Sequence, residues 1–369
     1  MNNTRLLVGF ILGLVIAAGG FPPAASAQTG IDDFVSSPAG RRAFLKGDYA
    51  EAERYFREVL RLAEAENASP ARMATSIGNV AQVLASQGRF IEAEELFDRA
   101  LREGASASVN PRVRTILLLN LSALYTDMGR FSRAESVLDE VVVLCRKQFG
   151  PDSRELSIAL KRQGIVYAMT RRVSKAETRF KEALAIAEKQ PAVPPGELAS
   201  ILTSLGGVYS LQKKWSRADL LYLRAVDIYE RSFGPEHPTI SDVMVNIGEQ
   251  KIEERDFARA ESAFRRALGI KQAVFGREHI NAARVASRLA TVLTALNKSE
   301  EAYSLFASSI PVQERIFGPE NPEFAASLEN FGKLLRKMDD NARAETVEAR
   351  ARWIRETNAL TVSADKLLK

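Results

Sequence analysis

An alanine followed by an acidic or polar residue recurs eight times along this chain: Ala52-Glu53, Ala93-Glu94, Ala134-Glu135, Ala176-Glu177, Ala218-Asp219, Ala260-Glu261, Ala302-Tyr303 and Ala344-Glu345. The intervals are 41, 41 and then 42 residues throughout. A period held that closely means stacked copies of one supersecondary unit, none of which buries its apolar face alone. Composition adds a folded, soluble interior, with 46% hydrophobic and 26% charged residues. The net charge of +5, left over from 51 cationic and 46 acidic side chains, is too small to mark a nucleic-acid binder.

Each unit reads as two helices. Twelve residues before the recurrent alanine stands a small residue, in turn Gly40, Ala81, Ser122, Gly164, Gly206, Gly248, Ala290 and Gly332. Glycine inside a helix costs about 1 kcal/mol relative to alanine, so its recurrence implies that the first helix presses closely on the second. Tyr125, Tyr167 and Tyr209 follow three residues later, and Phe56, Phe97, Phe180, Tyr222, Phe264 and Phe306 lie four residues after the alanine. Between the helices Gly47, Gly88 and Gly129 supply a left-handed turn residue. Arg171, Lys213, Arg255, Asn297 and Asp339 take that place later, which predicts turns that are tighter in energy or different in shape.

These features resemble the tetratricopeptide repeat. The 42-residue period, with the connectors Phe149-Gly150-Pro151, Phe233-Gly234-Pro235, Phe275-Gly276-Arg277 and Phe317-Gly318-Pro319, is similar to the kinesin-light-chain type. The resemblance implies an all-α fold, a right-handed α-solenoid of about eight helix pairs over residues 38–357, with 358–369 as a C-terminal tail. The first unit has a short first helix after Pro38, as suits a terminal cap.

Residues 1–37 lie outside the array. Arg5, the apolar run Leu6 to Ala18, the breakers Gly19, Gly20, Pro22 and Pro23, and Ala25-Ser26-Ala27 read as a bacterial-type secretory signal peptide over 1–27. Residues 28–37 then form a linker, and the expected location is periplasmic or secreted. Membrane contact is expected only through this segment if it stays uncleaved. Cys145 is the single cysteine and excludes an intrachain disulfide.

No motif suggests catalysis, so the chain reads as a non-enzyme with no cofactor and no metal. His237 and His279 stand 42 residues apart at equivalent connector positions and belong to repeat geometry. Carboxylates in runs such as Glu51, Glu53 and Arg54 read as a solvated face. The expected site is the concave face, which the resemblance assigns to the first helices. Two residues before the small position lie Asn79, Asn120, Arg162, Ser204, Asn246, Arg288 and Asn330, amides and cations suited to gripping a peptide backbone. The Asn-Asn-Arg run is similar to part of the family's carboxylate clamp, but Thr75 and Ile158 stand where its lysines would be.

Ile116, Leu119, Ile158, Ile165, Met169 and Leu211 are expected to make units three to five apolar on that face. Asp242, Glu249 and Glu253 make unit six acidic, and Arg284, Arg288, Lys333, Arg336 and Lys337 give a basic end. Kinesin light chains as a family take short peptides with acidic flanks in such a groove, so a peptide or protein segment is the implied partner. A structural role in a cell-envelope assembly and reception of an anionic envelope polymer by the basic end stand as alternatives.

Overall fold

The structure, a computed structural model, describes residues 37–105, 110–190 and 193–367. The signal-peptide and linker readings up to residue 36 therefore fall outside the described residues. Sixteen helices make eight pairs, and no strand occurs among the described residues. The pairs are α1 (Pro38–Lys46) with α2 (Tyr49–Ala65), α3 (Pro70–Ser86) with α4 (Phe90–Glu103), α5 (Pro111–Asp127) with α6 (Phe131–Gln148), and α7 (Arg154–Met169) with α8 (Val173–Lys189). They continue with α9 (Pro195–Leu211) and α10 (Trp215–Phe233), α11 (Pro238–Glu253) and α12 (Phe257–Phe275), α13 (Ile280–Ala295) and α14 (Ser299–Phe317), and α15 (Pro322–Lys337) and α16 (Asn341–Leu367). The last helix runs on to Leu367, so most of the stretch set apart as a tail is helical.

This is the all-α solenoid that the period predicts. The chain divides between Ser232 and Phe233 into two compact bodies, the first holding the pairs α1–α2 to α9–α10 and the second the three remaining pairs. Within each body successive pairs stack in chain order.

All eight recurrent alanines are wholly buried. The small register explains itself at the same contact. A Cβ added to Gly164 would lie 2.7 Å from the Phe180 ring, one at Gly206 2.8 Å from Tyr222, and one at Gly248 2.7 Å from Phe264. Each aromatic of a second helix is thus seated on bare backbone of the first, and each such ring contributes roughly 1.5–3 kcal/mol through burial. Unit eight departs from this, because Gly332 faces Glu348, which Arg336 holds at 2.7 Å.

The turns correct one expectation. Arg171, Lys213, Arg255, Asn297 and Asp339 adopt φ of 58–62°, the same left-handed conformation as Gly47, Gly88 and Gly129. Shape is conserved through the array and only strain differs, since a side chain in that conformation costs about 1–2 kcal/mol. Connectors combine two devices. Gly276 and Gly318 end their helices at φ 86°, ψ 162° and φ 82°, ψ 163°, backbone open essentially to glycine alone. After Gly318 Pro322 opens the next helix, as Pro238 opens α11, at a place where a missing N–H costs nothing.

Candidate functional site

In the N-terminal body the amide register of the first helices is unengaged. Asn79, on α3, is half-buried with its Nδ2 shielded from solvent and without a hydrogen-bond partner among the described residues. Ser76 Oγ, one turn earlier, shares that condition. Asn120 is half-buried at the equivalent place on α5. The apolar residues around these amides separate into two groups. Ile116, Ile158, Met169 and Leu211 are half-buried and keep a surface. Leu119 and Ile165, 7% and 5% exposed, face the interior and are not open to a ligand, which corrects their assignment to the groove.

Arg162 is also drawn inward. Desolvation lowers its pKa to about 10, against the opposing pull of the Asp127 carboxylate from α5. Its neighbour Lys161 donates from Nζ to Ser200 Oγ at 2.8 Å, reaching from α7 to α9, and desolvation brings its pKa down to about 8. Arg154 Nε reaches Glu197 at 2.8 Å between the same two helices. Cationic side chains on this face therefore brace one first helix against the next.

The C-terminal body engages part of the expected basic end. Arg284 Nε lies 2.6 Å from Glu323 Oε1, and Arg288 is paired with Glu249. Burial lowers the Arg288 pKa, with the Glu323 charge acting against it. Arg336 pairs with Glu348, and Lys337 Nζ donates to the Thr294 carbonyl at 2.7 Å. Asn330 accepts from Lys333 at 3.0 Å, and Asn246 is buried. Two ion pairs, Arg288 with Glu249 and Arg284 with Glu323, thus bridge adjacent first helices, while Lys333 and Lys337 stay exposed and meet no carboxylate among the described residues.

His237 and His279 act as helix N-caps. Their Nδ1 atoms accept from the backbone N–H of Thr239 and Asn281 at 3.5 and 3.2 Å, and their rings lie 4.8 Å from Phe233 and Phe275. Cys145 is buried, and desolvation together with the Glu155 charge pushes its thiol up to about 12. No group of three His, Cys, Asp or Glu fit to hold a metal occurs among the described residues, and none of their helices is long and apolar enough to cross a membrane.

A family model described as Tetratricopeptide repeat matches residues 40–102, 113–189, 197–273, 239–313 and 281–357. The chain belongs to the tetratricopeptide repeat family. No curated protein matches it. Among solved structures, the apo form of the quorum sensor NprR from B. thuringiensis is similar at 12% identity, over 95% of this chain and 98% of that one, with a TM-score of 0.63. NprR in complex with its cognate peptide NprX matches at 12% identity over 74% and 76%, TM-score 0.50. BtubC (BKLC) from P. vanneervenii matches at 23% identity over 65% and 94%, TM-score 0.51. Such likeness concerns the fold.

The tetratricopeptide units are joined by a second set of contacts, made by carboxylates whose sequence pattern suggests only a solvated face. In units one to four and six the residue after the recurrent alanine reaches a cation at the start of the next unit's second helix, whereas Asp256 stands at that place after Asp219 of unit five. Glu53 meets Arg89 at 3.0 Å, Glu94 meets Arg130 at 2.7 Å, Glu135 meets Arg172 at 2.8 Å and Glu177 meets Lys214 at 3.6 Å. In the C-terminal body Glu261 meets Lys298 at 2.8 Å, and the Tyr303 hydroxyl accepts from Arg343 at 2.8 Å. Arg89, Arg130, Arg172 and Lys298 are N-caps without a side-chain cap bond, a place where cations oppose the helix dipole. The carboxylate of the preceding unit offsets that positive charge, which is why the alanine carries an acidic companion. The signal was in the sequence as a second periodic pair, acid and base about 36 residues apart.

Proposed function

We propose that this tetratricopeptide repeat protein is a non-catalytic scaffold that binds an extended peptide segment along the first helices of its N-terminal body. The observation that carries the reading is the row of half-buried Asn79, Ile116, Asn120, Ile158 and Met169, which keep a surface on these helices. An asparagine amide can donate to a peptide carbonyl while its oxygen accepts from the peptide N–H. Half-buried Ile116, Ile158 and Met169 flank these amides and suit an apolar anchor. The similar fold of NprR in complex with a peptide supports this mode of use.

Arg288 and Ile165 drop out as ligand contacts, because their side chains are committed to pairing or to the interior, and Arg284 is held by Glu323 through Nε with its Nη2 shielded from solvent. The test is capture of a partner by crosslinking in the native host, followed by titration of its bound segment. Asn79→Ala with Asn120→Ala should weaken that titration by tenfold or more and leave the melting temperature within a few degrees. If both variants bind like the parent, this face is not the site, and a structural role in an assembly takes its place. The same reading has the chain exported, on the strength of residues 1–27. Amino-terminal sequencing of the protein from the envelope fraction should begin at Gln28, and a chain still starting at Met1 would refute cleavage.

A further inference from the structure

The turn edge of units four and five carries cations that form no ion pair among the described residues. In units four and five the turn segments read Arg171-Arg172-Val173-Ser174-Lys175 and Lys213-Lys214-Trp215-Ser216-Arg217. Arg172 and Lys214 are taken up by the rungs to Glu135 and Glu177. Arg171, Lys175, Lys213 and Arg217 are exposed and take part in no ion pair among the described residues. Tyrosines hold two of them in place, with Lys175 Nζ 5.6 Å from the Tyr167 ring and the Arg217 guanidinium 5.8 Å from Tyr209. Lys181 of unit four also lies 5.9 Å from Tyr209 of unit five, so the two turns form one edge. Arg171 and Lys213 occupy the left-handed position at φ 59° and 58°, where the first three units use unstrained glycine.

The cations are continuous with exposed aliphatic surface. Along α10, Leu220 and Leu223 are 69% and 62% exposed. Arg217 lies one turn before Leu220 and Arg224, which is paired with Glu188 at 2.6 Å, one turn after it, giving an outward helical face of leucine with a free cation at its turn end. Helical faces of this kind bind at the boundary of headgroups and acyl chains, cations to phosphate and leucine below it.

We infer that the turn edge of units four and five, together with the outer face of α10, is a docking surface for a bilayer containing anionic phospholipid. The leucines favour a bilayer over nucleic acid, whose phosphate backbone offers them nothing. A second copy of this chain would set like charges against each other across a two-fold contact. The peptide face on α3 and α5 is separate, so either proposal stands without the other.

The test is co-sedimentation of the protein, as its host processes it, with vesicles of phosphatidylcholine alone and with phosphatidylglycerol mixed in. An apolar amino terminus would partition into both alike, so the difference between the two compositions is the readout. Binding should require phosphatidylglycerol and fall with salt. Arg171→Asn, Lys175→Gln, Lys213→Asn and Arg217→Gln should each lower partition about fivefold. Asn keeps the left-handed turns, as Asn297 does at φ 62°. Leu220→Ser with Leu223→Ser should lower it at least tenfold with no change in melting temperature, since both side chains are exposed. Arg146→Gln with Lys147→Gln, exposed cations at the far end of α6, should change nothing. Equal binding to both vesicles, or full binding by the four-cation variant, overturns the proposal. Tight binding of soluble polyglutamate that ignores the leucine substitutions also overturns it, and would give the edge to an acidic protein.

Discussion

Two glycines in helices face opposite circumstances. Gly164 has no room for a methyl group, because Phe180 lies against its backbone at 2.7 Å, whereas nothing stands within 4 Å of a Cβ built at Gly269 on α12. Gly164→Ala should therefore destabilise by roughly 1–3 kcal/mol through overpacking. Gly269→Ala should stabilise by up to about 1 kcal/mol, since only the unfolded chain loses freedom. Thermal melts of both variants check the pair, and shifts of the same sign would deny that helix contact explains the small register. The same residue-scale reasoning revises the face of the first helices. A single residue's periodic place does not say whether the neighbouring helix covers it, and Leu119 and Ile165 are covered while Ile116 and Ile158 are half-covered. That outcome depends on the offset between adjacent units, which no spacing within one unit contains.

Turns and caps form the next scale. Arg255 is exposed at φ 61°, so Arg255→Gly should relieve strain and stabilise by up to about 1 kcal/mol, while Gly318→Ala should cost about 1–3 kcal/mol. Chemical denaturation of the two variants should move in opposite directions. The histidine caps add a pH dependence. Burial lowers the pKa of both His237 and His279; Lys271 acts the same way on each, and Asp242 opposes it at His237. The folded state thus favours neutral imidazole, whose Nδ1 must accept a hydrogen bond. Stability from these caps is complete above the ordinary value near 6.5, falls as pH drops through it to the folded pKa, and is level below. Asn321 already caps α15 with an amide that does not titrate, so a chain carrying His237→Asn and His279→Asn should lose this slope between pH 7 and 5 in its melting temperature. An unchanged slope would assign the dependence elsewhere. Elements of this size were legible in the sequence because glycine, proline and the buried alanine act within a few residues of one another.

At the scale of the molecule, the rungs join successive units. Ion pairs of this exposure are worth about 0–1 kcal/mol each and are screened by salt. Glu94 is the best placed to be measured, since Arg130 at 2.7 Å and Arg133 at 2.9 Å both depend on it. Glu94→Gln should lower stability by about 1 kcal/mol at low salt, and the gap to the parent should shrink in molar salt. A gap independent of salt would mean packing, not charge, joins the units. These rungs are hard to see in the sequence because their partners belong to different units, and each half looks like an ordinary helical surface charge.

The rung has a direction, from the acid of one unit to the base of the following one. Unit four holds both halves, Arg172 to meet the unit before and Glu177 to meet the unit after. A tandem copy of that unit, spliced in beside the original, would find its counterpart at each junction with no further substitution. The length of the N-terminal body is therefore open to change by simple duplication within the gene, as a chain is lengthened by one more identical link.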